Sequence, residues 1–183
     1  GFRGLVFSST AAVYGLPERM PITEDCRLEP INPYGASKLC AELMLRAYAE
    51  AYGLAAVSLR YFNVAGADPA GDIGEDHRPE SHLVPLALRA AAGEGGRLKV
   101  FGDDYDTPDG TCIRDYIHVC DLAEAHVLAM SAVEQGKAKV YNLGNGEGFS
   151  VRQVVQACRE ASGREISVDV APRRAGDAPR LVA

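Results

Sequence analysis

The chain is 183 residues long, 47% hydrophobic, and carries a formal net charge of −6. That is apolar material enough for a sizeable core in one domain or slightly more, and the acidic balance excludes a general nucleic-acid or polyanion binder. No apolar run reaches transmembrane length, and the N-terminal apolar stretch is too short and too polar-flanked for a signal peptide. The five cysteines (Cys26, Cys40, Cys112, Cys120 and Cys158) are odd in number and scattered without a C-x-x-C, which suits a reduced, cytoplasmic protein.

Gly4 to Thr10 is a short apolar run ending in three hydroxyls, Ser8, Ser9 and Thr10, and reads as a buried parallel strand. Ligands in open α/β sheets gather at the carboxyl ends of such strands, which is where Thr10 falls. A proline-containing loop follows, from Gly15 to Asn32. Asn32 is a good N-cap and Pro33 suits the first helical position, so a helix is expected from Pro33 to Gly53, with an apolar stripe at Leu39, Leu43, Ala47 and Ala51. Tyr34 and Lys38 then share one face, one turn apart. An ammonium beside a phenol favours the phenolate, the form a phenolic general base requires.

Ala55 to Phe62 reads as a second buried strand. Asp68 to Glu80 is a polar loop; Asp76, His77 and His82 match no rigid ligand spacing, and no metal is expected. A helix should run from about Ser81 to Ala92 and stop at Gly93, followed by a strand over Leu98–Phe101 and a solvated acidic turn over 103–110. Arg114 opens a strand over Asp115–Val119, with His118 packed in the core and Asp121 capping a helix to about Glu134. Strands over Lys139–Leu143 and Ile166–Val170 bracket a helix over Ser150–Ala161. There is no internal repeat, and no G-x-G-x-x-G follows a strand, so the usual dinucleotide fingerprint is absent.

Ser8-Ser9-Thr10, Val13-Tyr14-Gly15 and Tyr34 with Lys38 together resemble the catalytic layout of the extended short-chain dehydrogenase/reductases. Arg60-Tyr61-Phe62-Asn63-Val64-Ala65-Gly66-Ala67, Gly71 to Asp76, Asp109-Gly110-Thr111, Arg114 to Val119, Tyr141 to Gly144 and Pro172 to Asp177 resemble, more narrowly, the UDP-glucose 4-epimerases. The matches are collinear and cover nearly the whole chain.

The resemblance implies an α/β fold: residues 1–66 form the C-terminal part of an NAD-binding Rossmann-type domain, and 67–183 form mainly a smaller nucleotide-sugar-binding lobe, with some segments returning to the first domain. The fingerprint is implied to lie in a preceding half, so the chain is expected to be a C-terminal fragment, cut short after Ala183 and inactive alone. The implied reaction is NAD-dependent interconversion of UDP-glucose and UDP-galactose by transient oxidation at C4. Tyr34 is the implied base, Lys38 supports it and holds the nicotinamide ribose, Thr10 binds the reacting hydroxyl, and Phe62 contacts the nicotinamide. Asn63, His82, Leu83, Lys99, Val100, Phe101, Arg114, Arg174, Asp177 and Leu181 are the implied substrate contacts. His82 departs from the better-known epimerases, which carry Asn there, and Leu181 bounds the space for the sugar's C2 substituent. A homodimer through the Tyr34 helix is implied as well.

Related chemistries remain to be weighed. A 4,6-dehydratase needs an acid and a base after the Thr, where this chain has Ala11 and Ala12. A 4-epimerase for UDP-N-acetylglucosamine or UDP-pentoses, or a decarboxylase, shares the triad. A non-catalytic NAD-binding regulatory module would often lose Tyr34 or Lys38, and both are present.

Overall fold

A computed structural model describes residues 4–183. In chain order the elements are β1 (Leu5–Thr10), a 3-10 turn (Ala11–Tyr14), α1 (Pro33–Tyr52), β2 (Ala56–Tyr61), β3 (Asn63–Ala65), α2 (Leu83–Ala92) and β4 (Leu98–Phe101). There follow β5 (Ile113–Arg114), β6 (Tyr116–His118), α3 (Val119–Ala132), β7 (Ala138–Leu143), β8 (Phe149–Ser150), α4 (Val151–Ser162), β9 (Val168–Ala171) and β10 (Arg180–Leu181). They form two compact units, one of residues 1–66, 115–147 and 181–183, the other of residues 67–114 and 148–180.

The first unit is built on a parallel sheet in the order β1-β2-β7. Side chains alternate along β2, so Val57 and Leu59 face one side, where they pack with Ala129 of α3, and Ser58 and Arg60 face the other, where α1 lies. Helices on both faces explain why the strands read as nearly continuous apolar runs. The register brings Thr10, Tyr61 and Leu143 level, so all three strands end at one edge.

α1 starts as its sequence dictates: the Asn32 side chain accepts from the Gly35 N–H at 2.8 Å, and Pro33 occupies the first turn. Its buried positions are Gly35, Glu42 and Ala49, with Leu39 half-buried, while Leu43, Ala47 and Ala51 of the expected stripe are exposed. Steps of four residues drift about 40° each around a helix with 3.6 residues per turn, whereas steps of seven drift only about 20°. The 35-42-49 row therefore stays on the sheet and the 39-43-47-51 row rotates off it.

Two other boundaries differ from the sequence reading. α3 is capped by His118, whose Nδ1 accepts from the Cys120 N–H at 3.2 Å, so His118 is an exposed cap and Asp121 lies in the first turn, where a negative charge suits the helix dipole. The strand expected over 115–119 is broken at Asp115, whose fully buried carboxylate accepts from the N–H groups of Asn145 (2.8 Å), Gly146 (3.1 Å) and Ala183 (3.0 Å). Gly144 is required beside it, since a Cβ there would lie 2.4 Å from Asp115 Oδ2.

The second unit pairs β4 with β9 in parallel and packs α2 against α4. Its core is Ala87, Ala91, Leu98, Val155, Cys158 and Ile166. α4 opens on a full capping box, in which Ser150 bonds the Gln153 N–H and Gln153 returns to the Ser150 N–H. Asp109 fastens this start to the preceding turn by accepting from Thr111 N–H (2.9 Å), Thr111 Oγ1–H (2.7 Å) and the Ser150 hydroxyl. Among the described residues no helix is long and apolar enough to cross a membrane, and all five cysteines are free.

Candidate active site

In the first unit, Thr10 is the last residue of β1 and caps the 3-10 turn, its Oγ1 accepting from Ala12 N–H at 3.2 Å. The start of α1 is pressed against that turn: a Cβ on Gly35 would come within 2.5 Å of the Ala12 carbonyl oxygen. Only glycine permits this approach, which packs the start of α1, with Tyr34 next to Gly35, on the turn that Thr10 caps. Tyr34 is 53% exposed, which leaves its phenol open to a ligand. Lys38 lies one turn on, its ammonium 5.7 Å from the centre of the Tyr34 ring and 5.1 Å from that of Phe7. The same ammonium donates to the Ser8 carbonyl oxygen at 2.9 Å, which ties it to the end of β1.

Behind this edge lies a buried polar network that the sequence reading did not single out. Arg60 of β2 forks onto Glu42 of α1, with Nε 3.0 Å from Oε1 and Nη2 2.5 Å from Oε2, and both side chains are almost fully buried. Glu42 also accepts from the Ser9 hydroxyl, and Arg60 Nη1 donates to Tyr14 Oη at 2.9 Å, which in turn donates to Asn142 Oδ1 at 2.6 Å. Burial pushes the Tyr14 phenol up, outweighing the opposing Arg60. Burial works against the Arg60 charge, but the bonds to Glu42 and Tyr14 prevail and hold its pKa above the ordinary value. The signal available in sequence was an arginine inside the apolar run Ala55–Phe62 and a glutamate seven residues from Gly35.

Phe62 is buried with Ala11, Val13, Tyr14 and Ile22, and Leu181 packs against the same cluster. Asn63 is exposed, and its N–H donates to the Asp115 carbonyl oxygen at 3.0 Å.

In the second unit, Arg114 and Asp177 are joined, with Nη2 3.0 Å from Oδ1, while Arg114 Nη1 donates to the Ile113 carbonyl at 2.9 Å. Arg174 lies over the Phe101 ring at 3.9 Å. Lys99 is exposed on β4, whereas Val100 is buried and points with Leu98 to the opposite face from Lys99 and Phe101. It lines a cavity of about 620 Å³ with Val155, Val168 and Val170. His82 and Leu83 stand at the start of α2, where His82 is the N-cap without a side-chain cap bond.

A parallel α/β sheet with a Thr at one strand end and a Tyr–Lys pair on the following helix is the arrangement that the resemblance to the extended short-chain dehydrogenase/reductases implies. Residues 1–144 match the NAD dependent epimerase/dehydratase family, and the chain belongs to it. It is 56% identical to a UDP-glucose 4-epimerase of Corynebacterium glutamicum over 183 residues, covering 100% of this chain and 55% of that protein. Among solved structures, a UDP-glucose 4-epimerase from Brucella ovis in complex with NAD superposes with a TM-score of 0.90 at 54% identity, over 99% of this chain and 56% of that one. One from Bifidobacterium longum, in complex with NAD+ and UDP, gives 0.94 at 44% identity, over 99% and 55%. The fold is therefore the Rossmann-like α/β fold of those enzymes, and the chain spans about half the length of the relatives it matches.

Proposed function

We propose that the full-length protein carrying this chain interconverts UDP-glucose and UDP-galactose, in galactose metabolism. Supporting this are the whole-chain similarity to UDP-glucose 4-epimerases and one observation above all, the Tyr34–Lys38 pair tied to the strand end that presents Thr10. In this reading the first unit is part of the NAD-binding domain and the second is most of the nucleotide-sugar lobe.

The residues present fit the nicotinamide end of the cofactor: of the three ammonium donors of Lys38, one goes to Ser8 O, which aims the group while leaving others for a ribose. The chemistry that NAD would supply there is reversible hydride transfer with C4 of the sugar. Tyr34 removes the proton of the 4-hydroxyl and restores it after the sugar has turned over. Lys38 stabilises the phenolate, and Thr10 holds the reacting hydroxyl. Phe62 packs toward the nicotinamide. Asn63, Lys99, Val100, Phe101, Arg114, Arg174, Asp177 and the backbone groups of His82 and Leu83 hold the UDP-sugar, so that distant binding energy keeps the intermediate in place while the sugar rotates. Leu181, packed against the cluster that holds Phe62, limits room at the sugar's C2.

The free cysteines accord with a cytoplasmic enzyme. The exposed Leu43, Met44 and Tyr48 on α1 offer an apolar face suited to a homodimer. No nucleic-acid or membrane partner belongs to this reading.

The test is conversion of UDP-galactose by the full-length, NAD-loaded protein, with Tyr34→Phe beside it. Conversion that falls about 10²–10⁴-fold in the variant, the usual contribution of a positioned acid–base group, would support the reading. A folded, NAD-loaded protein inactive on UDP-galactose would overturn it.

A further inference from the structure

Within the second unit, the loop leading into α2 folds back on itself and gathers Glu75, His77, Glu80 and His82, each offering one ligand atom, all within 4.8 Å of one another. We propose that these four side chains form a structural site for one divalent transition-metal ion of the zinc type, which fastens the 67–82 loop to the start of α2.

The donor set points to that class of ion. Two imidazoles beside two carboxylates suit zinc and its neighbours, whereas calcium and magnesium take oxygen ligands. Distances agree as well. Zinc bonds of about 2.0–2.2 Å in a tetrahedron place the ligand atoms about 3.3–3.6 Å apart. His77 Nδ1 lies 3.6 Å and His82 Nδ1 3.8 Å from Glu80 Oε1. His82 Nδ1 and Glu75 Oε1 stand closer, in hydrogen-bond contact, and an ion would take the place of the proton between them.

The site is also built, and not merely a group of surface charges. The Glu80 side chain is only 3% exposed and is aimed by two bonds to its Oε1, from Ser81 N–H at 2.7 Å and His82 N–H at 2.8 Å. The two imidazoles lie with ring centres 5.1 Å apart and planes 20° apart, and the Nδ1 of each faces Glu80 Oε1. Asp76, the one other acid between Glu75 and His82, turns away to bind Arg78 at 2.9 Å. The ligands are spaced two, three and two residues apart along a loop, a pattern that matches no helix or hairpin pair, which is why the sequence alone led to no metal being expected. Four protein ligands leave no open position, so the ion would brace the loop and take no part in chemistry.

The proposal is tested on tag-free, full-length protein, stripped with a chelator and titrated with zinc against a chromophoric competitor. One zinc per chain is expected. His77→Ala and, separately, Glu75→Gln should weaken binding by at least about 10- to 100-fold, the range seen when even an outer partner of a metal site is lost. Asp76→Asn should bind as the parent does. Cobalt in place of zinc should show the strong visible bands of a tetrahedral site, absent in His77→Ala. Circular dichroism confirms that each variant is folded. Less than stoichiometric zinc on the parent, or equal affinity in the parent and both ligand variants, would overturn the proposal.

Discussion

Arg60→Met removes the cation from a pair whose side chains are 2% and 3% exposed, and leaves the Glu42 carboxylate buried with the Ser9 hydroxyl as its remaining partner. Breaking a buried pair from one side costs about 3–5 kcal/mol, because the stranded charge keeps its desolvation penalty and loses the attraction that offset it. Folded domains have only about 5–15 kcal/mol in all, so the variant should be marginal. The structure also predicts the sign of the coupling. Adding Glu42→Leu removes the stranded charge, and Arg60→Met/Glu42→Leu should be more stable than Arg60→Met alone by about 1–2 kcal/mol, even though Ser9 and Tyr14 each lose a partner. The assay is urea denaturation of the full-length protein at neutral pH, read as a double-mutant cycle. A loss below about 1 kcal/mol in Arg60→Met, or a second substitution that adds its own separate cost, would refute the reasoning.

Gly35→Ala places a methyl 2.5 Å from the Ala12 carbonyl oxygen, and since that atom is backbone the start of α1 must shift. A displacement of Tyr34 approaching 1 Å should lower turnover by up to about 10²-fold while the protein stays folded; wild-type turnover would show that the turn yields instead. Asp109 gives a pH signature. Burial opposes its charge, but the bonds from Ser150 and Thr111 outweigh that and hold its carboxyl below the usual range. A group with a depressed folded pKa adds stability above its unfolded value, about 3.9, and loses it as pH falls through the folded one. Asp109→Asn should therefore be less stable than the parent at pH 7 and converge with it in acid; a gap that is constant with pH would contradict the assignment.

The parallel strands and both caps of α1 were legible because each rests on local chemistry: apolar runs, Asn-Pro before a helix, and Gly after it. What the sequence concealed depends on contacts far apart in the chain. Glu42 reads as a solvated helix residue until Arg60, 18 positions on, is seen beneath it. Asp115 reads as a strand residue until three N–H groups, from residues up to 68 positions away, converge on its carboxylate. His118 shows the opposite case, a local cap overlooked because imidazole is an uncommon N-cap.

The site residues divide along the same line. Tyr34 and Lys38 could be paired from the helical period alone, and the structure adds only the Ser8 carbonyl that steadies the ammonium. Arg114 and Asp177, separated by 63 positions, were read as independent contacts to a UDP-sugar, yet they form one unit. That pairing changes what each can do. A carboxylate facing a diphosphate would repel it, whereas a carboxylate holding one edge of a guanidinium fixes its plane and leaves the remaining N–H groups of the fork for phosphate oxygens. Arg114 is only 12% exposed at its side chain, so its orientation is set before any ligand arrives. Asp177 thus acts in the proposed site through Arg114, with its spare oxygen suited to a sugar hydroxyl and not to the phosphates.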